Sequence, residues 1–282
     1  MPTIWLFGFS TQFRTRASRL PVGMALADAI VLVPMPDIPN GIKPPMPGPL
    51  ALIGSGEYLP AMAEIEASLI LGRGPRYVQI PTAAASEGRT RLDYWVDLGI
   101  QQARRLGVEA VPMVLETRED ANDLENAKLL DGAGLIYLSG GRPDFLVSTL
   151  EETVVFEKML ASWRSGAALA GCSAGAMALC EWVPGIGLAR ANARHGFGVV
   201  RTLAVLPHFD RMAARIPDML RDMAINPPAG VSLIGIDEQT ALIWENGIWR
   251  VEGEGCVWDL GQHRRERYKV GMDLRGAPLP EL

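Results

Sequence analysis

The sequence predicts an α/β fold with a doubly wound, mainly parallel sheet, and two observations support this prediction. Short apolar segments that end in glycine or proline alternate regularly with helical segments from residue 50 to residue 176. This alternation is typical of βαβ units with helices on both faces of one sheet. The chain then closes with two apolar segments around Asn246-Gly247. Because this pair tolerates the positive φ angles of a tight turn, we expect C-terminal antiparallel hairpin strands at one edge of the sheet.

The parallel strands are predicted from apolar segments of a length that suits buried strands. They are residues 50–54, 76–80, 110–115, 134–138 and 167–170. The segments between them carry amphipathic or apolar patterns with a helical period. These are residues 59–71, 91–106, 119–130 and 143–165, the last broken once. Pro112 lies in the third strand, and since proline cannot donate a ladder hydrogen bond, we expect an edge strand or a bulge there.

The N-terminal part of the chain does not follow this pattern. Seven prolines lie between Val33 and Leu50, and proline is excluded from helix interiors and central strands. We predict that residues 1–48 are a proline-rich, poorly ordered extension and that residues 49–282 form a single α/β domain. Two alternatives stay open. The extension could be an arm packed on the domain, or it could lie outside the mature protein if translation starts at Met46.

Composition excludes several classes of function. The net charge is -5 and no long basic run occurs, so we expect no nucleic-acid partner and no membrane surface as partner. Three cysteines are too few for a disulfide framework or a four-ligand zinc site, which favours the cytoplasm and no metal or organic cofactor. No apolar run reaches the roughly 20 residues that span a bilayer. The signal-peptide-like segment from Val22 to Val33 is interrupted by Asp28.

The fifth predicted strand runs into Gly171-Cys172-Ser173-Ala174-Gly175, which fits the G-x-S-x-G nucleophile elbow. A serine held between a strand and a helix sits in a tight turn, where flanking side chains would collide with neighbouring backbone. The turn also directs the amide-rich N-terminus of the next helix at the reaction centre, where it can stabilise an oxyanion. We therefore predict Ser173 as the nucleophile. Cys172 is the alternative, because a thiol is intrinsically more nucleophilic.

A serine nucleophile needs a general base, and the chain has three histidines. His263 lies in a charged C-terminal segment and His195 in a predicted loop. His208 follows the apolar run 203–206 and Pro207, so it stands at the carboxyl end of a predicted strand. Sites form at that end of the strands in parallel α/β sheets, which makes His208 the predicted base.

A third group should fix the tautomer of the imidazole. Asp237 and Glu238 follow another apolar strand, residues 231–236. Neighbouring side chains on extended backbone point to opposite faces, so only one of the two carboxylates can reach His208. The sequence pattern does not choose between them.

A glycine pair, Gly140-Gly141, follows the fourth strand, where it lets the backbone approach a ligand and expose N–H groups. We predict that Gly140 contacts substrate and that an amide of the pair completes an oxyanion hole with the amide of Ala174. Arg142 and Arg211 lie next to these motifs, and guanidinium groups bind carboxylates bidentately. We predict both as substrate-binding residues for acidic peptides; the alternative is that they pair with carboxylates of the protein itself.

Five ordered motifs give the chain a resemblance to a known family. They are Pro-Thr-Ala-Ala (81–84), Tyr-Leu-Ser-Gly-Gly (137–141), Gly-Cys-Ser-Ala-Gly-Ala (171–176), Pro-His-Phe (207–209) and Gly-Ile-Asp-Glu-Gln-Thr-Ala-Leu (235–242). In this order they resemble the cyanophycinase and aspartyl dipeptidase family of serine peptidases, which has a class I glutamine-amidotransferase-like fold. The resemblance implies Ser173 as nucleophile, His208 as base, Glu238 as acid, and Gly141 and Ala174 as oxyanion-hole residues. The Pro-His-Phe motif is closer to the dipeptidase branch.

The predicted function is therefore a serine hydrolase that cleaves peptide-like amide bonds in small, acidic peptides through an acyl-enzyme. A small peptide is the expected partner, and the chain is expected to be a monomer or a homodimer. Two alternatives remain. A glutaminase of amidotransferase type would be expected to carry cysteine where Ser173 stands. A non-catalytic binding domain could use the same fold.

Overall fold

The structure is a computed structural model that describes residues 46–184, 194–215, 227–261 and 266–281. Nearly all of the predicted extension, residues 1–45, and the charged segment around His263 lie outside these residues. Residues from Pro44 onward belong to one compact unit. The prediction about the extension therefore stays a prediction.

An eight-stranded sheet forms the centre of the molecule, in the order β14-β11-β10-β1-β5-β4-β2-β3. Strands β1 to β5, which are parallel to one another, are Leu50–Ile53, Arg76–Ile80, Glu109–Pro112, Ala133–Leu138 and Ala168–Cys172. The hairpin β10, Thr240–Glu245, and β11, Ile248–Gly253, joins antiparallel to β1, and the short β14, Asp273–Leu274, lies outside it. The predicted fold class is confirmed, and Pro112 lies on an edge strand as expected.

Helices cover this sheet and connect its strands. They are α1 Ala63–Ile70, α2 Arg89–Leu106, α3 Arg118–Ala121, α4 Leu124–Lys128, α5 Pro143–Leu150, α6 Val154–Arg164, α7 Ala174–Leu179 and α8 Phe209–Arg215. Two 3₁₀ helices, Pro60–Met62 and Thr82–Glu87, precede α1 and α2. The predicted break in the segment 143–165 falls between α5 and α6, where Thr153 caps α6 by accepting a hydrogen bond from the N–H of Phe156.

Strand β1 shows why the sheet needs two helical layers. All four of its side chains are fully buried. Leu50 and Leu52 pack into one hydrophobic cluster, while Ala51 and Ile53 pack into another. Because side chains alternate between the faces of a strand, the two clusters lie on opposite faces of the sheet. A continuous apolar run is what a strand buried on both faces requires.

The register of the central strands determines which loops meet. Ile53 of β1 pairs with Cys172 of β5, and Leu138 of β4 pairs with Gly171. The three parallel strands therefore end at nearly the same level. The loop after β1, the glycine pair after β4 and Ser173 after β5 emerge together at the carboxyl edge of the sheet.

A second sheet has four strands, in the order β13-β12-β9-β8. They are β8 Leu203–Pro207, β9 Ser232–Ile236, β12 Cys256–Asp259 and β13 Glu266–Lys269. Strands β8 and β9 are parallel, and Pro207 pairs with Ile236. The residues that follow these two strands, His208 and Asp237-Glu238, therefore leave the sheet side by side. A further antiparallel pair consists of β6, Trp182–Val183, and β7, Arg194–His195.

Regular packing begins at Gly48, near the end of the predicted extension. Its N–H donates to the carbonyl of Trp163, and the Trp163 indole N–H donates back to the carbonyl of Gly48, both at 2.9 Å. Trp163 is fully buried, so this reciprocal pair attaches the chain before β1 to the core.

Within the described ranges, no helix is both long enough and apolar enough to cross a bilayer.

Candidate active site

Ser173 lies at the turn between β5 and α7. Its backbone has φ 51° and ψ -109°, an unusual conformation for a residue with a side chain. Such a residue costs of order 1–3 kcal/mol and persists only where the surrounding structure imposes it. Here the N–H of Ser173 donates to the carbonyl of Ile53 at 2.9 Å, which holds the turn against β1. The strained conformation is the one expected at a nucleophile elbow.

The two elbow glycines are required by close backbone contacts. A Cβ on Gly171 would lie 2.5 Å from the carbonyl of Gly175, and one on Gly175 would lie 2.3 Å from the carbonyl oxygen of Leu138. Neither distance is compatible with a side chain. The two glycines therefore avoid collisions with neighbouring backbone, as the G-x-S-x-G pattern predicts, and they allow α7 to start directly above β4 and β5.

Cys172 is placed differently from Ser173. Its side chain is fully buried in the cluster that contains Ala51 and Ile53. Burial raises the pKa of the Cys172 thiol well above its usual value, and the nearby charge of Glu57 raises this pKa further. A buried thiol that resists ionisation is a poor nucleophile. The structure thus gives Cys172 a packing role below the elbow.

His208 follows β8 and faces Ser173. The Ser173 Oγ and the His208 Nε2 are 2.7 Å apart, a hydrogen-bond distance. His208 also has an unusual backbone for a residue with a side chain, with φ 151°. Nucleophile and base thus come from different sheets, Ser173 from β5 of the large sheet and His208 from β8 of the small one.

The structure brings Glu238, rather than Asp237, to the imidazole. The Glu238 Oε1 lies 3.4 Å from the His208 Nδ1, a long hydrogen bond. Asp237 turns the other way, where its carboxylate accepts hydrogen bonds from the N–H of Cys256 and the indole N–H of Trp258, at 2.9 and 3.0 Å. Burial raises the pKa of Asp237. Glu238 lies in the turn after β9, and the two neighbouring side chains point in opposite directions.

Glu238 is itself held by two residues of α8. The Arg211 Nε donates to the Glu238 Oε2 at 2.9 Å, so Arg211 contacts the carboxylate that faces His208. The N–H of Glu238 donates to the Asp210 Oδ1 at 3.0 Å. Sequence patterns did not single out Asp210. Asp210 could have been identified from its position directly after the Pro-His-Phe motif.

Arg142 and Arg211, both predicted to bind substrate, are already paired with carboxylates. Arg142 donates to Asp144 at 2.6 Å and stays more than half exposed at the surface. Its N–H donates to the carbonyl of Ala83 at 2.8 Å, so its position beside the glycine pair is well defined. Arg211 is also exposed while it contacts Glu238. Both contacts agree with the alternative prediction, in which these arginines pair with carboxylates of the protein itself.

The glycine pair lies next to Ser173. A Cβ on Gly140 would lie 3.3 Å from the Ser173 Cβ. Gly141 has φ 138°, and a Cβ there would lie 2.3 Å from the carbonyl oxygen of Ala83, in the 3₁₀ helix after β2. Among the described residues, no hydrogen bond uses the N–H of Gly141 or of Ala174. Both N–H groups are therefore available for an oxyanion.

The remaining histidine of the described chain does not reach this site. His195 lies on β7 and contacts Glu151 at 3.0 Å, where it is 71% exposed. In the ranges that the structure describes, no group of three His, Cys, Asp or Glu side chains could hold a metal ion.

Glu57 is a residue of the site that sequence patterns did not identify. It follows β1 in the segment Ser55-Gly56-Glu57, and its carboxylate lies against Gly140: a Cβ on that glycine would be 2.2 Å from the Glu57 Oε1. Glu57 could have been identified from its position, because it follows the strand that lies next to the nucleophile strand. Ligand-binding residues collect at that place in α/β sheets.

With this geometry in hand, comparison with known proteins identifies the class. The model of Peptidase family S51 matches residues 50–251. The chain is 42% identical to a peptidase from an acI-B1 Actinobacterium, with a TM-score of 0.75, and the match covers 82% of this chain and 98% of that one. The chain therefore belongs to peptidase family S51, and it is a serine-type peptidase. The resemblance inferred from the ordered motifs is confirmed.

A more distant structure shares the fold. A putative peptidase E protein from Listeria monocytogenes EGD-e is 20% identical, with a TM-score of 0.55 over 74% of this chain and 100% of that one. At this identity the similarity supports the α/β architecture alone. No curated protein matches the chain.

Proposed function

We propose that this protein hydrolyses amide bonds of small peptides by a Ser173-His208-Glu238 triad through an acyl-enzyme. The observation that carries the proposal is the 2.7 Å contact between the Ser173 Oγ and the His208 Nε2 at a strained elbow. A nucleophile in hydrogen-bond contact with a base, which in turn faces an orienting carboxylate, is the arrangement that acyl transfer needs. Similarity of the Pro-His-Phe motif to the dipeptidase branch supports small peptides as substrates.

In the first step, the Ser173 Oγ attacks the carbonyl carbon of the substrate while its proton moves to the His208 Nε2. Glu238 favours the tautomer with a proton on Nδ1 and stabilises the imidazolium that forms. The carbonyl oxygen becomes an oxyanion, which the N–H groups of Gly141 and Ala174 stabilise, the latter at the N-terminus of α7. His208 then donates its proton to the leaving nitrogen, the C–N bond breaks, and an ester to Ser173 remains.

In the second step, water enters where the leaving amine stood. His208 accepts a proton from this water as it attacks the ester carbon, and the same N–H groups stabilise the second oxyanion. Collapse of this intermediate returns the proton to the Ser173 Oγ and releases the acid product. The substrate and this water supply all the atoms that the two steps exchange with the chain. We also propose that the reaction takes place in the cytoplasm, because the described cysteines are free thiols.

A serine-directed probe tests the nucleophile directly. We expect a fluorophosphonate to inactivate the enzyme with time and to add the mass of its phosphonyl group to the peptide that contains Ser173, because an activated serine hydroxyl displaces fluoride from the phosphorus. Iodoacetamide should not inactivate the native enzyme, since Cys172 is fully buried. Mass spectrometry of the digested protein measures both results. An adduct on another residue, or rapid inactivation by iodoacetamide, would contradict the proposal.

We also propose that the enzyme prefers acidic peptides, with Arg142 as the cation that binds the substrate carboxylate. Arg142 directly follows the glycine pair beside Ser173, and its side chain is exposed to incoming ligand. Asp144 already shares this guanidinium, so a substrate carboxylate must compete for it. Arg211 is less suited to the task because it contacts Glu238.

A panel of dipeptides tests this preference. Aspartyl or glutamyl substrates should exceed their amide and alanyl counterparts in kcat/KM by about tenfold, since a charge-assisted hydrogen bond contributes roughly 1.5–3 kcal/mol. Arg142→Ala should remove most of the difference. Arg211→Ala is the matched control: it should lower the rates of all substrates together, because it disturbs Glu238. Equal rates across the panel with the wild-type enzyme would refute the acidic preference and leave the triad proposal intact.

A further inference from the structure

Ser139, the residue before the glycine pair, is fully buried. Its N–H donates to the carbonyl of Ile80 at 3.2 Å, and the N–H of Arg142, after the pair, donates to the carbonyl of Ala83 at 2.8 Å. These contacts hold the two ends of the segment against β2 and the 3₁₀ helix that follows β2. Between them lie two glycines, which have no side chain that could restrain their backbone.

The side chain of Ser139 bonds to Tyr58, a residue of the loop after β1. The Tyr58 Oη and the Ser139 Oγ lie 2.5 Å apart, and both residues are buried. Tyr58 has φ 63°, a left-handed backbone that a bulky residue rarely adopts. The Arg105 guanidinium donates to the Tyr58 carbonyl at 3.2 Å, and the Tyr58 ring packs against Trp95 and Tyr137, with centroids 6.0 and 5.3 Å away. The surrounding structure thus holds Tyr58 in an unfavourable conformation that brings its hydroxyl to Ser139.

Tyr77 is a buried tyrosine of the same cluster whose hydroxyl bonds elsewhere. Its ring stacks on Tyr137 with centroids 5.8 Å apart, and its hydroxyl donates to the Glu66 Oε2 of α1 at 2.9 Å. Tyr77 lies near the start of β2, whereas Tyr58 follows the carboxyl end of β1. The two tyrosines therefore have similar apolar surroundings, but only the Tyr58 hydroxyl bonds to the residue before the glycine pair.

The position of the glycine pair matters for the proposed reaction, because the N–H of Gly141 must be directed at the oxyanion. Such donors are effective when they are preorganised, and a displacement of about 1 Å can lower the rate by roughly 100-fold. A hydrogen bond between two buried side chains limits such a displacement, because breaking it leaves both groups without a partner. The bond from Tyr58 to Ser139 therefore attaches the loop after β1 to the backbone that leads into Gly141.

We propose that Tyr58 is a positioning residue for the oxyanion hole: its hydroxyl holds Ser139, and through Ser139 it holds the N–H of Gly141 where the oxyanion forms. This proposal rests on the proposed function, since it takes Gly141 as an oxyanion-hole residue. Tyr58 then acts on the transition state and not on the bound substrate, so its loss should lower kcat and leave KM nearly unchanged.

Tyr58→Phe removes the hydroxyl and keeps the ring. We expect kcat for a small peptide to fall about tenfold, less than the roughly 100-fold or more that follows loss of a whole oxyanion-hole donor. A peptide boronic acid gives the second measurement, because its tetrahedral adduct with a catalytic serine places an oxygen where the oxyanion forms. Its inhibition constant should rise by about the same factor as kcat falls. A partly inactive preparation would also lower kcat, but it would leave this inhibition constant unchanged.

Ser139→Ala removes the same hydrogen bond from its other end. We expect a similar loss of kcat, and adding Tyr58→Phe to this variant should cause little further loss, because the bond is already absent. Tyr77→Phe is the matched control, since it removes the hydroxyl of a buried tyrosine that bonds to Glu66. This control should lower the melting temperature, because a buried carboxylate loses a donor, while kcat and the boronic-acid inhibition constant stay at their wild-type values.

The positioning role is wrong if Tyr58→Phe keeps the wild-type kcat, if it leaves the boronic-acid inhibition constant unchanged, or if its loss adds fully to that of Ser139→Ala. Equal losses of kcat in Tyr58→Phe and Tyr77→Phe would also overturn it. If Tyr58→Phe does not fold, Ser139→Ala decides by the same two measurements. Fluorophosphonate labelling of the wild-type enzyme keeps this question apart from the triad: a labelled Ser173 with an unaffected Tyr58→Phe refutes the positioning role alone, whereas an unlabelled Ser173 refutes the proposed mechanism.

Discussion

Replacing Ser173 with alanine should lower kcat/KM by several orders of magnitude, about 10⁴-fold or more, because removal of a triad nucleophile leaves only binding and oxyanion stabilisation. The substitution removes the Oγ that lies 2.7 Å from His208 and leaves the backbone of the elbow in place. Steady-state kinetics on a small peptide measures the loss. The melting temperature should change little, which separates lost chemistry from lost folding.

Cys172→Ala is the matched control for this prediction. Its side chain is fully buried among apolar neighbours, so the change opens a small cavity and should cost about 1 kcal/mol of stability. Most of the activity should remain, because the nucleophile and base are unaltered. Ser173→Ala that keeps substantial activity, together with Cys172→Ala that loses it, would assign the nucleophile to the thiol.

Glu238→Gln should lower kcat by about 10³–10⁴-fold. An amide at this position can present a donor to the His208 Nδ1, which favours the tautomer that cannot accept the proton of Ser173, and it no longer stabilises the imidazolium. The amide also weakens the contact with Arg211. The pH dependence of kcat/KM provides an independent measurement, since it reports the ionisation of the free-enzyme base.

Asp237→Asn distinguishes the two adjacent acids. Asp237 accepts hydrogen bonds from Cys256 and Trp258 of β12, and an amide can satisfy only one of these donors. Leaving the other unsatisfied should cost about 1–3 kcal/mol of stability, seen as a lower melting temperature. The loss in kcat should be far smaller than for Glu238→Gln. A larger loss of kcat in Asp237→Asn than in Glu238→Gln would exchange their proposed roles.

Local patterns were enough to predict most of the fold. The strands from β1 to β5 follow from apolar runs that end in glycine or proline, because burial on both faces leaves no polar positions in a strand such as Leu50–Ile53. The hairpin β10–β11 follows from Asn246-Gly247, since few residue pairs adopt its backbone angles. Strand ends were less predictable: β3 stops at Pro112, whereas the apolar run continues to Leu115. Hydrophobicity alone does not mark where pairing ends.

The sequence did not distinguish the sheet to which each later strand belongs. Strands β8 and β9 have the same apolar character as the central strands, yet they belong to a separate sheet with β12 and β13. Strand pairing depends on contacts between residues far apart in the chain, and a local pattern carries no information about the partner. The same limit applies to Arg211, whose contact with Glu238 joins two segments that are close only in the folded chain.

The sequence by itself determined the class of fold, the family, and Ser173 and His208 as candidates, because each depends on a local motif at a strand end. Only the tertiary structure decided the contacts among them. It brought Glu238 rather than Asp237 to His208, since the β8–β9 register places the two segments side by side and the turn after β9 presents Glu238 to the imidazole. It also brought Glu57 to the glycine pair, because β1 and β4 flank β5 and all three strands end at one level. The spacing of residues along the chain cannot predict the contact between Glu57 and the glycine pair, because this contact comes from the packing of strands that are distant in sequence.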